Sequence, residues 1–260
     1  MESTANCATA EAFAVHRPMR LPSTAPERLP TLCSTCSLRG LCLPCGTGMD
    51  AGLVDELIYA RRRIKRGEVL YRAGTKFDSL YAVRSGFLKS YAIAEDGREQ
   101  VTGFQMAGEL IGLDGIETDK HSLTVRALED SVVCVIPFAG LEALSMRLPS
   151  LQRQFHRMMS REIVRDQGVM MLLGTMHADQ RVAAFLLNLS QRFAARGYSG
   201  VEFVLRMTRE EIGSYLGLKL ETVSRVFSKL QQSRLIDVQN KKIHLLKTTA
   251  LKAMLGQEAA

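Results

Sequence analysis

The sequence predicts an α+β chain: an antiparallel β-sandwich or barrel, a long helix and a C-terminal winged helix-turn-helix, with a cysteine-rich segment in front. Three observations predict this. Short alternating apolar runs punctuated by turn residues fill residues 64–137, and many short strands at such spacing form sandwiches or barrels. From Ser150 to His177 no proline interrupts a helical pattern. From Met207 to Phe227 a capping signal, a Leu-Gly-Leu turn and an amphipathic stretch follow one another.

In chain order, residues 1–30 are expected to be a disordered tail, 31–50 a cysteine segment, 51–149 the β-rich unit, 150–177 the long helix and 178–260 the winged helix-turn-helix. A short amphipathic helix is expected over Val54–Arg63. The strands are expected at Val69–Tyr71, Leu80–Val83, Phe87–Ile93, Gln100–Phe104, Leu123–Leu128 and Val132–Ile136, separated by turns at Gly67, Gly74, Gly86, Gly97 and Gly108. A short helix over Leu141–Leu148 leads into the long one.

Four of the six cysteines fall within thirteen residues, Cys33, Cys36, Cys42 and Cys45, spaced C-x2-C-x5-C-x2-C. Such density means either a metal site or a disulfide framework. Six cysteines are too few for a disulfide scaffold at 260 residues, and residues 1–30 lack the basic and then apolar regions of a secretory leader, so no leader and a reducing cytoplasm are expected and metal or redox chemistry is favoured. No apolar run reaches the roughly 18 residues of a transmembrane helix, so no membrane partner is expected.

On the long helix, residues 152, 156, 159, 163, 166, 170, 173 and 177 recur at alternating steps of four and three. The apolar members Met159, Ile163, Met170 and Leu173 make a coiled-coil-like seam, which points to a homodimer. A helix packed only on its own domain is the other reading. Asp166 lies in mid-seam, where two like charges brought together in a poorly hydrated stripe oppose association.

From Ala178 onward there are 13 Lys/Arg against 7 Asp/Glu, so nearly all of the net charge of +7 lies in the last third. That is the footprint of nucleic-acid binding. Thr208 with Glu211 three residues on reads as a capping box. Val223, Val226, Phe227 and Leu230 bury one face of the second helix, and Glu221, Ser224 and Arg225 share the other. Arg225 can give two hydrogen bonds to guanine, Glu221 can accept from cytosine N4, and Ser224 can reach a phosphate or a base edge. Thr222 and Lys219 flank them. A solvated Glu221–Arg225 salt bridge is the plainer alternative. Lys219, Lys229, Lys241 and Lys242 are candidate phosphate contacts, and Leu235–Leu246 reads as the wing.

Together these residues resemble the FNR branch of the CRP/FNR superfamily of bacterial transcription regulators. The resemblance spans roughly Cys33 to Leu255. It is carried by the C-x2-C-x5-C segment followed by Leu43-Pro44, and by Ser79-Leu-Tyr-Ala-Val-Arg-Ser-Gly86 and Gln100-Val-Thr-Gly-Phe104. Ala127-Leu-Glu-Asp-Ser-Val-Val-Cys134-Val-Ile-Pro-Phe138 and the Glu221-Thr-Val-Ser-Arg225 reader complete it. The resemblance implies that the β-rich unit is a cyclic-nucleotide-binding-like antiparallel β-roll. It implies an oxygen sensor with one [4Fe-4S] cluster per subunit, held by Cys33, Cys36, Cys42 and Cys134, which oxygen converts to [2Fe-2S] and then destroys. Read without the resemblance, Cys134 is a small buried core residue. Cys45 departs from the family and is a possible alternative ligand, for the cluster or for zinc.

The resemblance also implies double-stranded DNA of the TTGAT…ATCAA type as partner, and RNA polymerase contacts near Glu95-Asp96-Gly97. Cyclic-AMP receptors of the superfamily hold the cyclic phosphate with an Arg-Ser or Arg-Thr pair below the Gly108-Glu109 stretch. Here the segment reads Asp119-Lys-His-Ser-Leu-Thr124, so no cyclic nucleotide is expected. No phosphate loop or nucleophile elbow is present, and no enzyme activity is expected.

Overall fold

The computed structural model describes residues 33, 36–38, 41–43, 55 and 57–256. The expected tail, Cys7 and Cys45 lie outside the described residues.

Eight strands form two four-stranded antiparallel sheets. They are β1 (Ala60–Ile64), β2 (Val69–Tyr71), β3 (Ser79–Ser85), β4 (Phe87–Ile93), β5 (Glu99–Met106), β6 (Leu110–Ile111), β7 (Thr124–Ala127) and β8 (Ser131–Pro137). One sheet has the order β1-β8-β3-β6 and the other β2-β7-β4-β5. Alternation sets the register: on β3, Leu80 and Ala82 turn into the core, as do Cys134 and Ile136 on β8. This is the expected β-roll.

The expected helix over Val54–Arg63 is not formed at its C-terminal end, because residues 60–64 are strand β1. Arginine is a good helix former, but pairing with β8 along the whole length of β1 and burial of Ala60 and Ile64 outweigh that preference.

Helix α1 (Phe138–Arg147) leads into the 27-residue helix α2 (Pro149–Thr175). Proline at the first position of α2 costs no intrahelical hydrogen bond. Helix α3 (Ala178–Ala194), strand β9 (Glu202–Val204), helices α4 (Arg209–Leu216) and α5 (Leu220–Gln232), strands β10 (Ile236–Gln239) and β11 (Lys242–Leu245), and helix α6 (Thr248–Ala253) follow. The wing is thus a three-stranded sheet, β10-β11-β9, with one strand more than expected.

The helix-turn-helix is locally specified. Glu211 N–H donates to Thr208 Oγ1 at 3.1 Å and Thr208 N–H to Glu211 Oε2 at 2.8 Å. Gly217 adopts φ 62°, and Leu218 N–H closes back on Gly213 O at 2.9 Å. A Cβ on Gly213 would lie 2.5 Å from Leu218 O, so a side chain there would force the two helices apart.

One core runs across both halves of the chain. Phe87, Val101, Phe104 and Met106 of the β-roll pack with Phe185, Leu186, Ile212 and Leu216 of the helical part, and the Phe104 ring lies 5.2 Å from Tyr215 and 6.0 Å from Phe185.

Candidate functional site

Helix α5 presents its reading face outward. Val223, Val226, Phe227 and Leu230 are buried, while Glu221, Ser224 and Arg225 are exposed and Thr222 is half-buried. Among the described residues no ion pair joins Glu221 to Arg225; Arg225 Nη2 instead approaches Thr222 Oγ1 at 3.5 Å. Lys219 is exposed at the N-cap. Leu220, also exposed, shares the face. Of the expected phosphate contacts, Lys229 is ion-paired with Asp179, and Lys242 with Glu202 at 2.7 Å. Arg209 was not singled out by the sequence. Its guanidinium stacks 3.2 Å over the Phe227 ring, its Nη1 has no hydrogen-bond partner, and burial lowers its pKa to about 10.

Helix α2 is held by its N-terminal half, where Leu151, Gln154 and Met158 are buried. Beyond Glu162 its outer face is open. Ile163 is 55% and Met170 64% exposed, with Val164 and Met171 beside them. Met159 and Leu173 are half-buried and Asp166 is exposed. All five predicted seam residues border a cavity of about 680 Å3 between α2 and the β-roll, which is also lined by Tyr71, Gln105, Asp114 and Arg165.

The cysteines converge. Cys33, Cys36, Cys42 and Cys134 line one small pocket with Leu38, Ile58, Arg61, Ala82, Val83 and Arg84. No disulfide joins them. Backbone hydrogen bonds Cys36 N–H to Cys33 O (3.1 Å) and Cys42 N–H to Leu38 O (3.0 Å) fold the segment into turns, and Cys33 N–H donates to Asp55 Oδ1 at 2.6 Å. Cys134 is brought in by register, since on β8 it faces Arg61 of β1 on one side and Ala82 of β3 on the other. Burial pushes its thiol pKa up, against the pull of Arg61 and Arg84. Among the described residues no three such side chains stand at the separation of ligands on one metal ion. The pocket encloses about 20 Å3.

Two family matches divide the chain. Residues 61–147 match the cyclic nucleotide-binding domain and residues 180–254 the Crp-like helix-turn-helix domain. The transcriptional activator protein Anr of Pseudomonas protegens is 49% identical over 225 residues, covering 86% of this chain and 92% of Anr. The fumarate and nitrate reduction regulatory protein of Salmonella typhimurium is 45% identical over 225 residues, covering 86% and 90%. The chain belongs to the FNR branch of the CRP/FNR family. It is a DNA-binding transcription regulator of that family. The structure of FixK2 from Bradyrhizobium japonicum superposes with a TM-score of 0.69 at 29% identity, covering 77% of this chain and 98% of FixK2. Among the described residues no helix is long and apolar enough to cross a membrane.

In this regulator two buried ionic clusters join the β-roll to the helices. Glu109 is gripped by Arg192 of α3 and by Arg196 in the turn just after it, each at 2.6 Å, and by Arg165 of α2 at 3.6 Å. Burial alone would raise its pKa, but Arg192, with Arg165 and Arg196, overrides this and holds the carboxyl below the ordinary value. Glu109 therefore faces away from the cavity that its neighbours Leu110 to Leu113 line. Lys89, 5% exposed, binds Glu99 at 2.8 Å and Glu211 of α4 at 3.0 Å. Ser214 of α4 accepts from Val101 N–H at 2.8 Å and donates to Glu99 O at 2.9 Å. Neither cluster was legible in the sequence, since the ion pairs that join the β-roll to the helical part link residues 56 to 122 positions apart in it.

Proposed function

We propose that the chain is an oxygen-responsive, homodimeric transcription factor. Cys33, Cys36, Cys42 and Cys134 hold one [4Fe-4S] cluster per subunit. Among the described residues lining the pocket, four thiols with no histidine or carboxylate beside them suit iron–sulfur ligation, and a cluster spreads its ligands more widely than a single zinc ion. When bound, it supplies the oxygen-labile element. This chain's residues do the rest, and the turn carrying Cys36 and Cys42 must lift for the pocket to admit so large a group.

The observation that carries the reading is continuity of packing. Cys33, Cys42 and Cys134 belong to the same apolar cluster as Leu151 and Met158 of α2. Leu41 lies against Gly108, where a Cβ would come within 2.9 Å of it, next to the Glu109 that Arg165, Arg192 and Arg196 hold. A shift of the cysteine turn is therefore felt both by the helix with the open seam and by the helix that carries the DNA-reading unit. The seam of Met159, Ile163, Met170 and Leu173 pairs with its copy, with Asp166 opposing, and the pair places two reading helices on half-sites about 34 Å apart. On a TTGAT…ATCAA palindrome Arg225 reads guanine, Glu221 the opposite cytosine and Ser224 an adjacent thymine, flanked by Thr222 and Lys219. The protein works in the cytoplasm, and the hairpin at Glu95-Asp96-Gly97 meets RNA polymerase. The ligand is not a cyclic nucleotide, because among the described residues Arg165 is the one arginine lining the cavity and it is already committed to Glu162 and Glu109.

The test is an absorbance spectrum of the protein purified without oxygen and then exposed to air, read beside dimerisation and binding to the palindrome. A brown absorbance that fades together with dimer and DNA binding is expected. Zinc in place of iron, with binding indifferent to air, would overturn it. The 680 Å3 cavity favours a second reading, a small-ligand-responsive regulator, which calorimetric titration with nucleotides would expose.

A further inference from the structure

The thiol pocket carries two positive charges that the four cysteines do not explain. Strand pairing puts Arg61 directly across from Cys134. Arg84 sits where β3 slips register against β8, between Val83 and Ser85, and lines the same pocket as Ala82 and Cys134. Residues directly across a strand pair, such as Arg61 and Cys134, interact directly. Arg84 Nη1 reaches Cys36 Sγ at 3.7 Å. Arg61 Nε is buried and has no hydrogen-bond partner, although a buried polar group without one is costly. Neither arginine is in an ion pair with an acid among the described residues, in contrast to Arg62, which binds Glu68 and the Leu70 carbonyl from the other face of β1.

We propose that Arg61 and Arg84 are the charge partners of the thiolate set, positioning residues that hold the negative charge of four deprotonated cysteines, and of a cluster bound to them, at the edge of the β-roll. This rests on the cluster reading above. Four thiolates around a [4Fe-4S] core leave a net negative charge in an apolar setting. Guanidinium groups aimed at the sulfurs offset it through charge-assisted hydrogen bonds, and such bonds to cluster sulfurs also set the reduction potential.

The test compares wild type, Arg61→Gln, Arg84→Gln, the double Gln variant, the double Lys variant and Arg72→Gln. The last removes the same charge from an exposed turn and serves as control. Each is reconstituted anaerobically with iron and sulfide. The readouts are iron and sulfide per chain, the midpoint potential and the rate of cluster loss to a chelator, with apo-protein melts confirming that each variant folds. Each Gln variant should lose its cluster on the order of tenfold faster than wild type, with a midpoint potential shifted negative. The Lys variant should restore most of both, and Arg72→Gln should match wild type. Gln variants that match wild type would overturn the inference and leave the cluster reading intact. Equal defects in the Gln and Lys variants would overturn it too, since charge would then not be what the site needs. A wild type that takes up no cluster would instead remove the reading on which the inference stands.

Discussion

Substituting Glu109→Gln tests how firmly the β-roll grips the helices. The change keeps the shape and removes the charge, so an amide replaces a carboxylate among Arg165, Arg192 and Arg196. The Glu109 side chain is 14% exposed and its three partners between 6% and 21%. Breaking a fully buried pair costs about 3–5 kcal/mol. Water reaches part of this cage, and the amide oxygen still accepts one hydrogen bond, which lowers the expected loss to about 2–3 kcal/mol. For a chain of this size that is a fall of about 5–10 °C in Tm.

The assay is a melt of wild type, Glu109→Gln, Arg196→Gln and the double variant, closed as a double-mutant cycle. The pH dependence adds a sign. A carboxyl whose folded pKa is depressed contributes stability that is present above the unfolded pKa, about 4.3, and lost as pH falls through the folded value. The gap between wild type and variant should therefore hold at neutral pH and close only in acid. A Tm within about 1 °C of wild type, or a gap that persists unchanged in acid, would refute the reasoning.

Three further outcomes are expected. Arg225→Ala should cost about 1–3 kcal/mol on the palindrome and relax discrimination at one guanine; equal losses on specific and scrambled DNA, measured by anisotropy, would defeat the assignment. Asp166→Ala should strengthen self-association of cluster-free protein by about 1–2 kcal/mol, on the order of tenfold in the association constant, and an unchanged sedimentation profile would take Asp166 out of the seam. After anaerobic reconstitution Cys134→Ser should lack the brown absorbance while Cys45→Ser keeps it, and the reverse result would move the fourth ligand into the N-terminal segment.

The parts of this molecule that were legible in its sequence are those whose cause is local. Phe87–Ile93 alternates, so β4 could be read; α5 buries Val223, Val226, Phe227 and Leu230 at helical spacing, so its outward face could be read as well. Strands β6 and β9, of two and three residues, are too short to show a period. Strand β1 was misread because Arg61-Arg-Arg63 has helical propensity and only its pairing with β8 makes it a strand. The same limit applies to the site. The cysteines announced themselves by type and spacing, but the arginines beside them are there through the fold of the β-roll, and Glu109, in a stretch associated with cyclic nucleotides, turned out to face three arginines supplied by the later, helical part of the chain.

The divided carboxylate of Glu211 bears on how such regulators diversify. One oxygen caps the helix-turn-helix at Thr208 N–H, and the other neutralises Lys89 of the β-roll. Exchange of DNA-reading modules between relatives is therefore not free. A transplanted module lacking an acid three residues after its cap can fold and read its own operator, yet it strands a buried ammonium in the recipient with Glu99 alone. Compatibility between sensor and reader is decided in part at this one position, away from the exposed face of α5, and new specificities are reached more readily by changing that face than by replacing the module whole.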